Sequence, residues 1–273
     1  MTTNLVIGSE GFIGKPFCEY LKSLNEKVIP FDIKRSKKED GRYFKFDFKD
    51  VDRVYFLAWD VGGSKYLYQE KNQLLQLHWN LKLLTNVMSQ VEIGKTRCLF
   101  VSSQLAEEYD TVYGVTKKLG EVWSELVNCS CVRIWNAFGL MEAQNIKSHV
   151  ISDFVYQAVK LGNIKMQTTG EEWRQFTHID DICKGFHLAL NSDDLKRPIY
   201  DLSSFEWVQI KYVAEIICNL TGSTFSFGKK SGHSTFSTNM GRLPGWLPTV
   251  TLEEGIKRMI IQAKKLFSDG KLT

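Results

Sequence analysis

The stretch NLVIGSEGFIGKPFCEYL, residues 4–21, decides the fold. Its mostly apolar start predicts a buried strand over residues 4–7, and the apolar spacing that follows predicts a helix over residues 12–24. Three glycines spaced GxxGxxG join these elements, namely Gly8, Gly11 and Gly14. With a second strand predicted at residues 27–31, the stretch is a βαβ unit, from which parallel sheets are built.

The glycine turn favours a dinucleotide. Glycine permits a tight turn and close backbone approach, and the free N–H groups at a helix N-terminus attract a pyrophosphate. An ordinary strand-to-helix turn is the alternative. Asp32 ends the second strand, 18 residues after Gly14, where its carboxylate can bind the adenosine ribose and repel a 2′-phosphate. NAD is therefore favoured over NADP. NADP stays the alternative, because Lys34 and Arg35 lie close enough in sequence to bind a 2′-phosphate.

The same alternation of short strands and amphipathic helices continues along the chain. It predicts strands at residues 43–46, 53–57, 97–101 and 131–135, with helices at 67–90 and 113–127. Right-handed crossovers place such helices on both faces of the sheet. We therefore expect an α/β fold with a doubly wound, mainly parallel Rossmann sheet in residues 1–139, to which later segments can return.

The second half has shorter elements. Helices are predicted at residues 149–161, 179–190, 210–220 and 252–267, with an extended segment at 165–177. No Pro- or Gly-rich linker separates the halves. We expect residues 140–273 to form a smaller α/β substrate-binding lobe, with a cleft between it and the sheet domain.

Composition excludes several classes of protein. Of the 273 residues 43% are hydrophobic and 24% charged, which is typical of a globular domain, and the net charge of +4 is scattered, which argues against nucleic-acid binding. No apolar run is long enough to cross a membrane, and no basic leader precedes residue 4. The six cysteines lack metal-ligand spacing, so reduced, buried thiols in the cytoplasm are the simplest interpretation.

A second motif, Tyr113-Gly-Val-Thr-Lys117, opens a predicted helix. Residues four apart share a helix face, so the ammonium can lie beside the phenol and lower its pKa, which produces an acid/base for an alcohol or ketone. Ser103 ends the preceding strand, where a hydroxyl can bond the reacting oxygen. A chance YxxxK and an ordinary serine at a strand end are the alternatives.

Further motifs occur in order along almost the whole chain. They are GSEGFIG at residues 8–14, FKFD at 44–47, FLAW at 56–59, VSS at 101–103, VYGVTKKLGE at 112–121, RIWNAFG at 133–139, RQFTHIDDI at 174–182 and GWLPTVTLEEGI at 245–256. This set resembles the extended short-chain dehydrogenases/reductases that act as NAD-dependent nucleotide-sugar epimerases and dehydratases. The resemblance implies NAD as cofactor and a nucleotide-diphosphate sugar as substrate.

The resemblance also implies individual roles. The pyrophosphate would lie against Gly8, Gly11, Phe12, Ile13 and Gly14. Asp32 would hold the ribose, and the positions that border the adenine or pass beneath the cofactor would be Asp47, Phe48, Leu57 and Ala58. Tyr113 would be the acid/base, Lys117 would bind the nicotinamide ribose, and Ser103 would hold the substrate hydroxyl. The diphosphate candidates are Asn136, Arg174 and Arg242. His178, Asp180 and Asp181 would organise a turn instead of taking part in catalysis.

Departures from the family pattern narrow the chemistry. Gln104 and Leu105 stand where dehydratases carry an Asp-Glu pair, and Gln104 stands where GDP-fucose synthase carries a Cys. VGG at residues 61–63 and SHVI at 148–151 nevertheless look like GDP-fucose synthase. In that enzyme the residue matching His149 is the second acid/base, so His149 is a substrate-site candidate, with a plain helix-face histidine as the alternative.

Together these features favour redox at the sugar C4, as in a 4-epimerase or a 4-keto reductase or dehydrogenase. Only nine residues separate Ser103 from Tyr113, which leaves a catalytically silent NAD-binding or regulatory protein as the alternative. Relatives pair the two long helices into a four-helix dimer core. The apolar residues of these two helices favour a homodimer, and the alternative is that they cover the sheet. They are Leu81, Leu84, Val87, Trp123 and Leu126.

Overall fold

The structure is a computed structural model that describes residues 1–94, 96–108, 110–141, 147–192, 199–234, 236 and 241–272. The strands are β1 (Thr3–Ile7), β2 (Lys27–Phe31), β3 (Arg53–Phe56), β4 (Arg97–Ser103), β5 (Ser130–Ile134), β6 (Asn136–Phe138), β7 (Asn163–Lys165), β8 (Trp173–Arg174), β9 (Phe176–His178), β10 (Ile199–Leu202), β11 (Val208–Gln209) and β12 (Thr224–Ser226). The helices are α1 (Gly14–Ser23), α2 (Ser64–Leu67), α3 (Glu70–Gly94), α4 (Val112–Leu126), α5 (Val150–Leu161), α6 (Ile179–Asn191), α7 (Ile210–Thr221) and α8 (Leu252–Ser268).

A parallel sheet forms the centre of the molecule. In the described part of the chain it has six strands in the order β10-β5-β4-β3-β1-β2, and every neighbouring pair is parallel. The sheet extends from β1 to β2 on one side, and the chain then returns to add β3, β4, β5 and β10 on the other side. This reversal of direction is the doubly wound arrangement. The predicted α/β Rossmann fold is confirmed.

Alternate side chains of the strands build two cores, one on each face. Tyr55 of β3 packs with Phe17 and Phe186, so α1 and α6 cover its face. Its neighbour Phe56 packs with Leu84 and Phe100 in the core that α3 and α4 cover. Because residues 54–56 of β3 are buried on both faces, a run of Val, Tyr and Phe follows Arg53, as is usual for interior parallel strands.

The strand predicted at residues 43–46 does not form. The side chains of Asn86 and Gln90 on α3 donate to the carbonyl oxygen of Phe44 at 2.9 and 3.0 Å, and Gln90 accepts from the Phe46 N–H at 2.8 Å. Phe44 and Phe46 pack around Phe31. Aromatic side chains raise the strand propensity of this segment. Its backbone hydrogen bonds, however, are made with side chains of α3 and not with a neighbouring strand.

Helices α5, α7 and α8 enclose a separate apolar core beside the sheet. Val155, Ala214 and Ile256 are at its centre. β6 pairs with β9 between this core and the sheet, and β10 returns to the edge of the sheet after α6. The division at residues 139 and 140 stays a prediction, although the return of β10 agrees with the expected crossing of later segments.

The six cysteines are free and buried. Among the residues that the structure describes, no helix combines the length and apolar character needed to cross a bilayer, and no group of His, Cys, Asp or Glu is arranged to hold a metal ion.

Candidate active site

A cleft of about 1210 Å³ lies between the carboxyl ends of the central strands and the second lobe. Gly8, Asp32 and Tyr113 line it from the sheet domain, and His149 and Arg174 line it from the other side. Open parallel sheets bind their ligands at this edge, where crossovers diverge. Most of the predicted residues are thus brought together.

The glycine turn is packed so tightly that side chains are excluded. Gly8 has φ of +97°, and a Cβ there would lie 2.5 Å from the backbone nitrogen of Ala58. A Cβ on Gly14 would lie 1.9 Å from the carbonyl oxygen of Gly8. No described side chain caps α1, so Phe12 and Ile13 border a helix N-terminus that faces the cleft. The turn fits a pyrophosphate.

Asp32 is buried at the end of β2 and lines the same part of the cleft. Its carboxylate accepts hydrogen bonds from the backbone N–H groups of Glu10 at 3.0 Å and Lys34 at 2.8 Å. Lys34 Nζ lies 3.3 Å from the Glu10 carbonyl, and Arg35 pairs with Glu39 at 3.3 Å. An anchored carboxylate with its basic neighbours engaged fits the ribose of NAD better than a 2′-phosphate.

The structure corrects the predicted adenine border. Asp47 and Phe48 do not line the cleft: Asp47 accepts from the Lys49 N–H at 3.0 Å, and Phe48 stacks on Phe46 with centroids 5.8 Å apart. No crossover helix lies between β2 and β3, and the part of this connection that lines the cleft precedes Asp47 in the chain. The residues that line it there are Asp40, Gly41 and Arg42. Leu57 and Ala58 lie where predicted, with both N–H groups donating to the Ile7 carbonyl.

Tyr113 and Ser103 form a buried pair at the middle of the cleft. Thr111 caps α4 by accepting from the Gly114 N–H at 3.0 Å, which fixes Tyr113 in the first turn. Burial raises the pKa of Tyr113 to about 12, and a hydrogen bond with Ser103 acts in the opposite direction. The pKa is therefore above the usual phenol value, and the expected lowering by Lys117 is wrong for this state.

Lys117 points towards the strand beneath it. Its Nζ donates to the Val101 carbonyl at 2.6 Å and lies 4.0 Å from the centroid of the Trp59 ring, compared with 5.9 Å for Tyr113. The residue is 3% exposed, and burial lowers the pKa of its amine to about 7. Trp59 and Val101 thus hold an amine that titrates near neutral pH, and sequence spacing did not reveal either contact.

A buried ion network supports this pair from behind. Arg133 on β5 binds Glu121 on α4 at 2.6 Å and also contacts Glu107, and Ser102 donates to Glu121 at 2.7 Å. Burial acts to raise the pKa of Glu121, but the bonds to Arg133 outweigh it and the net pKa is lowered. Both serines border the cleft, but the Ser102 hydroxyl is bound to Glu121, and Ser103 is the serine that pairs with Tyr113.

Three predicted substrate residues line the cleft. Asn136 donates to the Gln175 carbonyl at 2.9 Å, and Arg174 donates to the Trp173 carbonyl at 2.7 Å. Burial lowers the pKa of Arg174. His149 precedes α5 and stacks on Phe12 with centroids 5.4 Å apart, so it contacts the glycine turn.

Arg242 lies outside the cleft, contrary to the expectation. It is exposed, and its guanidinium lies 4.1 Å from the centroid of the Phe205 ring. His178 and Asp181 organise a turn, as expected: His178 Nδ1 accepts from the Asp180 N–H at 3.2 Å, and Asp181 accepts from the Thr249 N–H at 2.8 Å.

Two ion pairs that the sequence did not predict cross from the sheet domain to the second lobe. Lys147 binds Asp60 at 2.6 Å, and Lys65 binds Asp153 at 2.6 Å. A Cβ on Gly63 would lie 2.4 Å from the Ser148 carbonyl oxygen, so the two segments are in close contact. These contacts define one side of the cleft.

Comparisons with known proteins agree with this geometry. A model of the NAD dependent epimerase/dehydratase family matches residues 4–202. The chain is 24% identical to UDP-glucuronic acid decarboxylase 1 of Xenopus tropicalis, over 96% of this chain and 72% of that protein. It is 22% identical to a putative UDP-glucose 4-epimerase of Methanocaldococcus jannaschii, over 94% and 96%.

Among solved structures, the chain resembles a UDP-glucuronic acid 4-epimerase from Bacillus cereus in complex with UDP-glucuronic acid and NAD. The TM-score is 0.78 with 20% identity, covering 97% of this chain and 100% of that one. At this identity the structural likeness shows the fold alone. The family match shows membership of the family, because it runs from β1 to the last residue of β10 and so spans the whole central sheet. The chain therefore belongs to the NAD-dependent epimerase/dehydratase family of extended short-chain dehydrogenases/reductases, and NAD is the cofactor of that family.

Proposed function

We propose that the protein is an NAD-dependent nucleotide-sugar oxidoreductase that acts at the sugar C4, as a 4-epimerase or a 4-keto reductase or dehydrogenase. The observation that carries this proposal is the buried Tyr113–Ser103 pair, which shares one cleft with the glycine turn. When bound, NAD would supply the hydride acceptor and the positive charge of its nicotinamide ring.

The residues of the chain then have separate tasks. Ser103 donates to Gln104 Oε1 at 3.0 Å and accepts from the Leu105 N–H at 3.3 Å, so its hydroxyl is fixed in the wall of the cleft and can orient a sugar hydroxyl. As the phenolate, which a nearby positive charge favours, the Tyr113 oxygen takes the proton of that hydroxyl during oxidation, and as the phenol it returns the proton during reduction. Lys117 supplies a cation close to this pair when its amine is protonated.

The residue beside Ser103 supports simple redox. Gln104 stands at the position where a dehydratase would place its acid, and an amide cannot transfer a proton at carbon. Glu107, the nearest acid along the chain, is bound to Arg133, and Glu108 lies 3.5 Å from His233.

The nucleotide end of the substrate would meet Asn136, His149 and Arg174, the predicted substrate residues that line the cleft. Arg174 is the best placed to bind a diphosphate, because its half-buried side chain lines the cleft and carries a planar guanidinium. The free, buried thiols support a reducing compartment such as the cytoplasm.

We also propose a homodimer, through a set of residues that shares Leu126 with the expected one. Leu84 and Val87 are buried against the sheet, and Trp123 is half-buried against the same core. Helices α3 and α4 expose further apolar side chains, with Leu74 and Leu126 each 78% exposed. The exposed set includes Leu74, Leu75, Leu119, Val122 and Leu126. Light scattering of the Leu126→Glu variant should report a monomer where the parent is a dimer.

The enzyme assay uses the absorbance of reduced nicotinamide after the NAD-loaded protein is mixed with a panel of nucleotide sugars. A signal that Tyr113→Phe abolishes supports the proposal, and the distant Tyr156→Phe is the matched control. Turnover of the true substrate by Tyr113→Phe at the parental rate would falsify the acid/base assignment. NAD binding with no signal across the panel would favour the silent, regulatory alternative.

A further inference from the structure

The amine of Lys117 has electron-rich groups on two sides. Its Nζ donates to the Val101 carbonyl at 2.6 Å and lies 4.0 Å from the centroid of the Trp59 ring. Carbonyl oxygens and aromatic faces both carry negative partial charge. They therefore suit an ammonium, which has three donors and no acceptor, better than the lone pair of a neutral amine. The third N–H of the ammonium stays available to a ligand, because Lys117 also lines the cleft.

The ring of Trp59 is fixed in place by its surroundings. It packs against Phe56 and Phe100, with ring centroids 5.9 and 5.6 Å away. The backbone of the next residue is also held, since the Asp60 N–H donates to Asn80 Oδ1 at 2.8 Å. The indole face is therefore preorganised beside the amine and meets the cation without rearrangement.

The N–H group of the Trp59 indole does not explain a tryptophan at this position. Nε1 is buried, and no described residue accepts a hydrogen bond from it. A buried tryptophan usually finds an acceptor for this group, and without one the N–H costs free energy. The ring face does have a partner, which is Lys117, and tryptophan gives the strongest cation–π interaction of the aromatic side chains.

The other groups around the amine do not replace the indole. The ring centroids of Phe100 and Tyr113 lie farther away, at 5.0 and 5.9 Å. Glu121 on α4 favours the cation, but its carboxylate is bound to Arg133. Cys131 on β5 has a thiol whose pKa burial raises well above its usual value, so the thiol stays neutral. Burial of the amine itself opposes its charge, and the indole is the nearest ring that offsets this effect.

We infer that Trp59 is a positioning residue for the proposed reaction: its indole face holds Lys117 as the ammonium in the wall of the cleft. Trp59 acts through Lys117, because a cation beside the phenol of Tyr113 favours the phenolate that accepts a proton. The catalytic consequence rests on the proposed function, whereas the interaction between ring and amine can be measured without substrate.

The first test measures the pKa of Lys117 in the full-length protein by nuclear magnetic resonance, with lysine labelled with carbon-13 at Cε. Lys117→Met assigns the signal. Fluorinated tryptophans in place of Trp59 keep the shape of the indole and withdraw electrons from its face. Increasing fluorination should lower the Lys117 pKa stepwise, by about one pH unit in total, which is a roughly tenfold fall in proton affinity. A pKa that is unchanged or rises across the series would overturn the inference.

Two comparisons control for indirect effects. The same fluorinated residues in place of Trp246, which is buried in the core on the other face of the sheet, should leave the Lys117 pKa unchanged. Trp59→Phe and Trp59→Leu leave similar space for water, but only the first keeps an aromatic ring. The Lys117 pKa should therefore be higher in Trp59→Phe, and equal values in the two variants would also overturn the inference. If these variants do not fold, the fluorinated series decides alone.

The kinetic consequence is tested on the NAD-loaded enzyme. Relative to Trp59→Phe, Trp59→Leu should move the alkaline fall in kcat to lower pH by the difference between the two Lys117 pKa values, with KM unchanged. An alkaline fall at the same pH in both variants would refute the positioning role.

These outcomes separate the inference from the proposed function. A Lys117 pKa that responds to fluorination, in a protein that turns over no nucleotide sugar, would remove the proposed function and leave the interaction of Trp59 with Lys117 standing. A pKa that does not respond, in an enzyme whose turnover depends on Tyr113, would do the reverse.

Discussion

Replacing Lys117 by Met should stabilise the protein while it removes a proposed catalytic group. Lys117 is 3% exposed, so the loss of hydration makes its charged form unfavourable in the folded state. Its pKa falls from 10.5 to about 7 on burial, despite the aromatic face of Trp59 at 4.0 Å. Met has a similar length and no charge, so it can fill the same space without that cost.

The size and pH dependence follow from the two pKa values. Below pH 7 Lys117 is protonated in both the folded and the unfolded chain, and the fall of its pKa from 10.5 to about 7 then disfavours folding by about 5 kcal/mol. Between pH 7 and 10.5 the unfolded chain binds more protons than the folded one, so the stability of the parent rises with pH. Near pH 9 about 2 kcal/mol of the cost remains. The advantage of Lys117→Met should therefore shrink by about 3 kcal/mol from about pH 6 to about pH 9.

Denaturant unfolding of parent and variant at these two pH values, without cofactor, measures this difference. Other titrating groups cancel in the comparison, and the pKa of Tyr113, about 12, lies above the window. Lys264→Met, which removes an exposed lysine on α8, should show no such pH dependence. An advantage that is equal at the two pH values, or that grows with pH, would show that Lys117 is not a desolvated amine and would refute the reasoning.

Three further changes probe the network, the turn and the cofactor pocket. Arg133→Met removes the guanidinium that Glu121 and Glu107 share and leaves Glu121 with Lys118 alone, so it should destabilise the fold by about 3–5 kcal/mol in denaturant unfolding; a loss below about 1 kcal/mol would contradict the buried network. Gly14→Ala places a Cβ 1.9 Å from the Gly8 carbonyl oxygen and should abolish NAD binding in a fluorescence titration, whereas Gly11→Ala, at 3.1 Å, should weaken it less. Asp32→Ala should lose roughly tenfold in NAD affinity and gain in NADP affinity, and an unchanged ratio of the two affinities would count against its role at the ribose.

The features that were predictable from sequence are those that local chemistry imposes. A GxxGxxG turn between a strand and a helix cannot accept side chains, and the contacts of Gly8 and Gly14 show why. Apolar periodicity likewise gave the parallel sheet, because its strands are buried on both faces. The strand predicted at residues 43–46 is absent because the aromatic side chains there pack around Phe31 and beneath α3, and the segment pairs with no strand.

Side chains whose position depends on distant parts of the chain could not be predicted in this way. Asp47 and Phe48 matched a family position by sequence order, but the shortened crossover moves residues 40–42 to the cleft instead. Arg242 reaches Phe205, a contact between segments that no local pattern records.

The Tyr113–Lys117 pair shows the same limit in energetic terms. A spacing of four residues places both side chains on one face of α4, and from that alone the ammonium should lower the phenol pKa. Tertiary packing adds desolvation, which acts on both groups and in the direction of their neutral forms: it raises one pKa to about 12 and lowers the other to about 7. The protein alone therefore sets the pair towards neutral phenol and partly neutral amine. Tyr113 must lose its own proton before it can accept one from a sugar hydroxyl, and a positive charge beside the phenol favours that loss; protonated Lys117 and the nicotinamide ring of NAD would supply it.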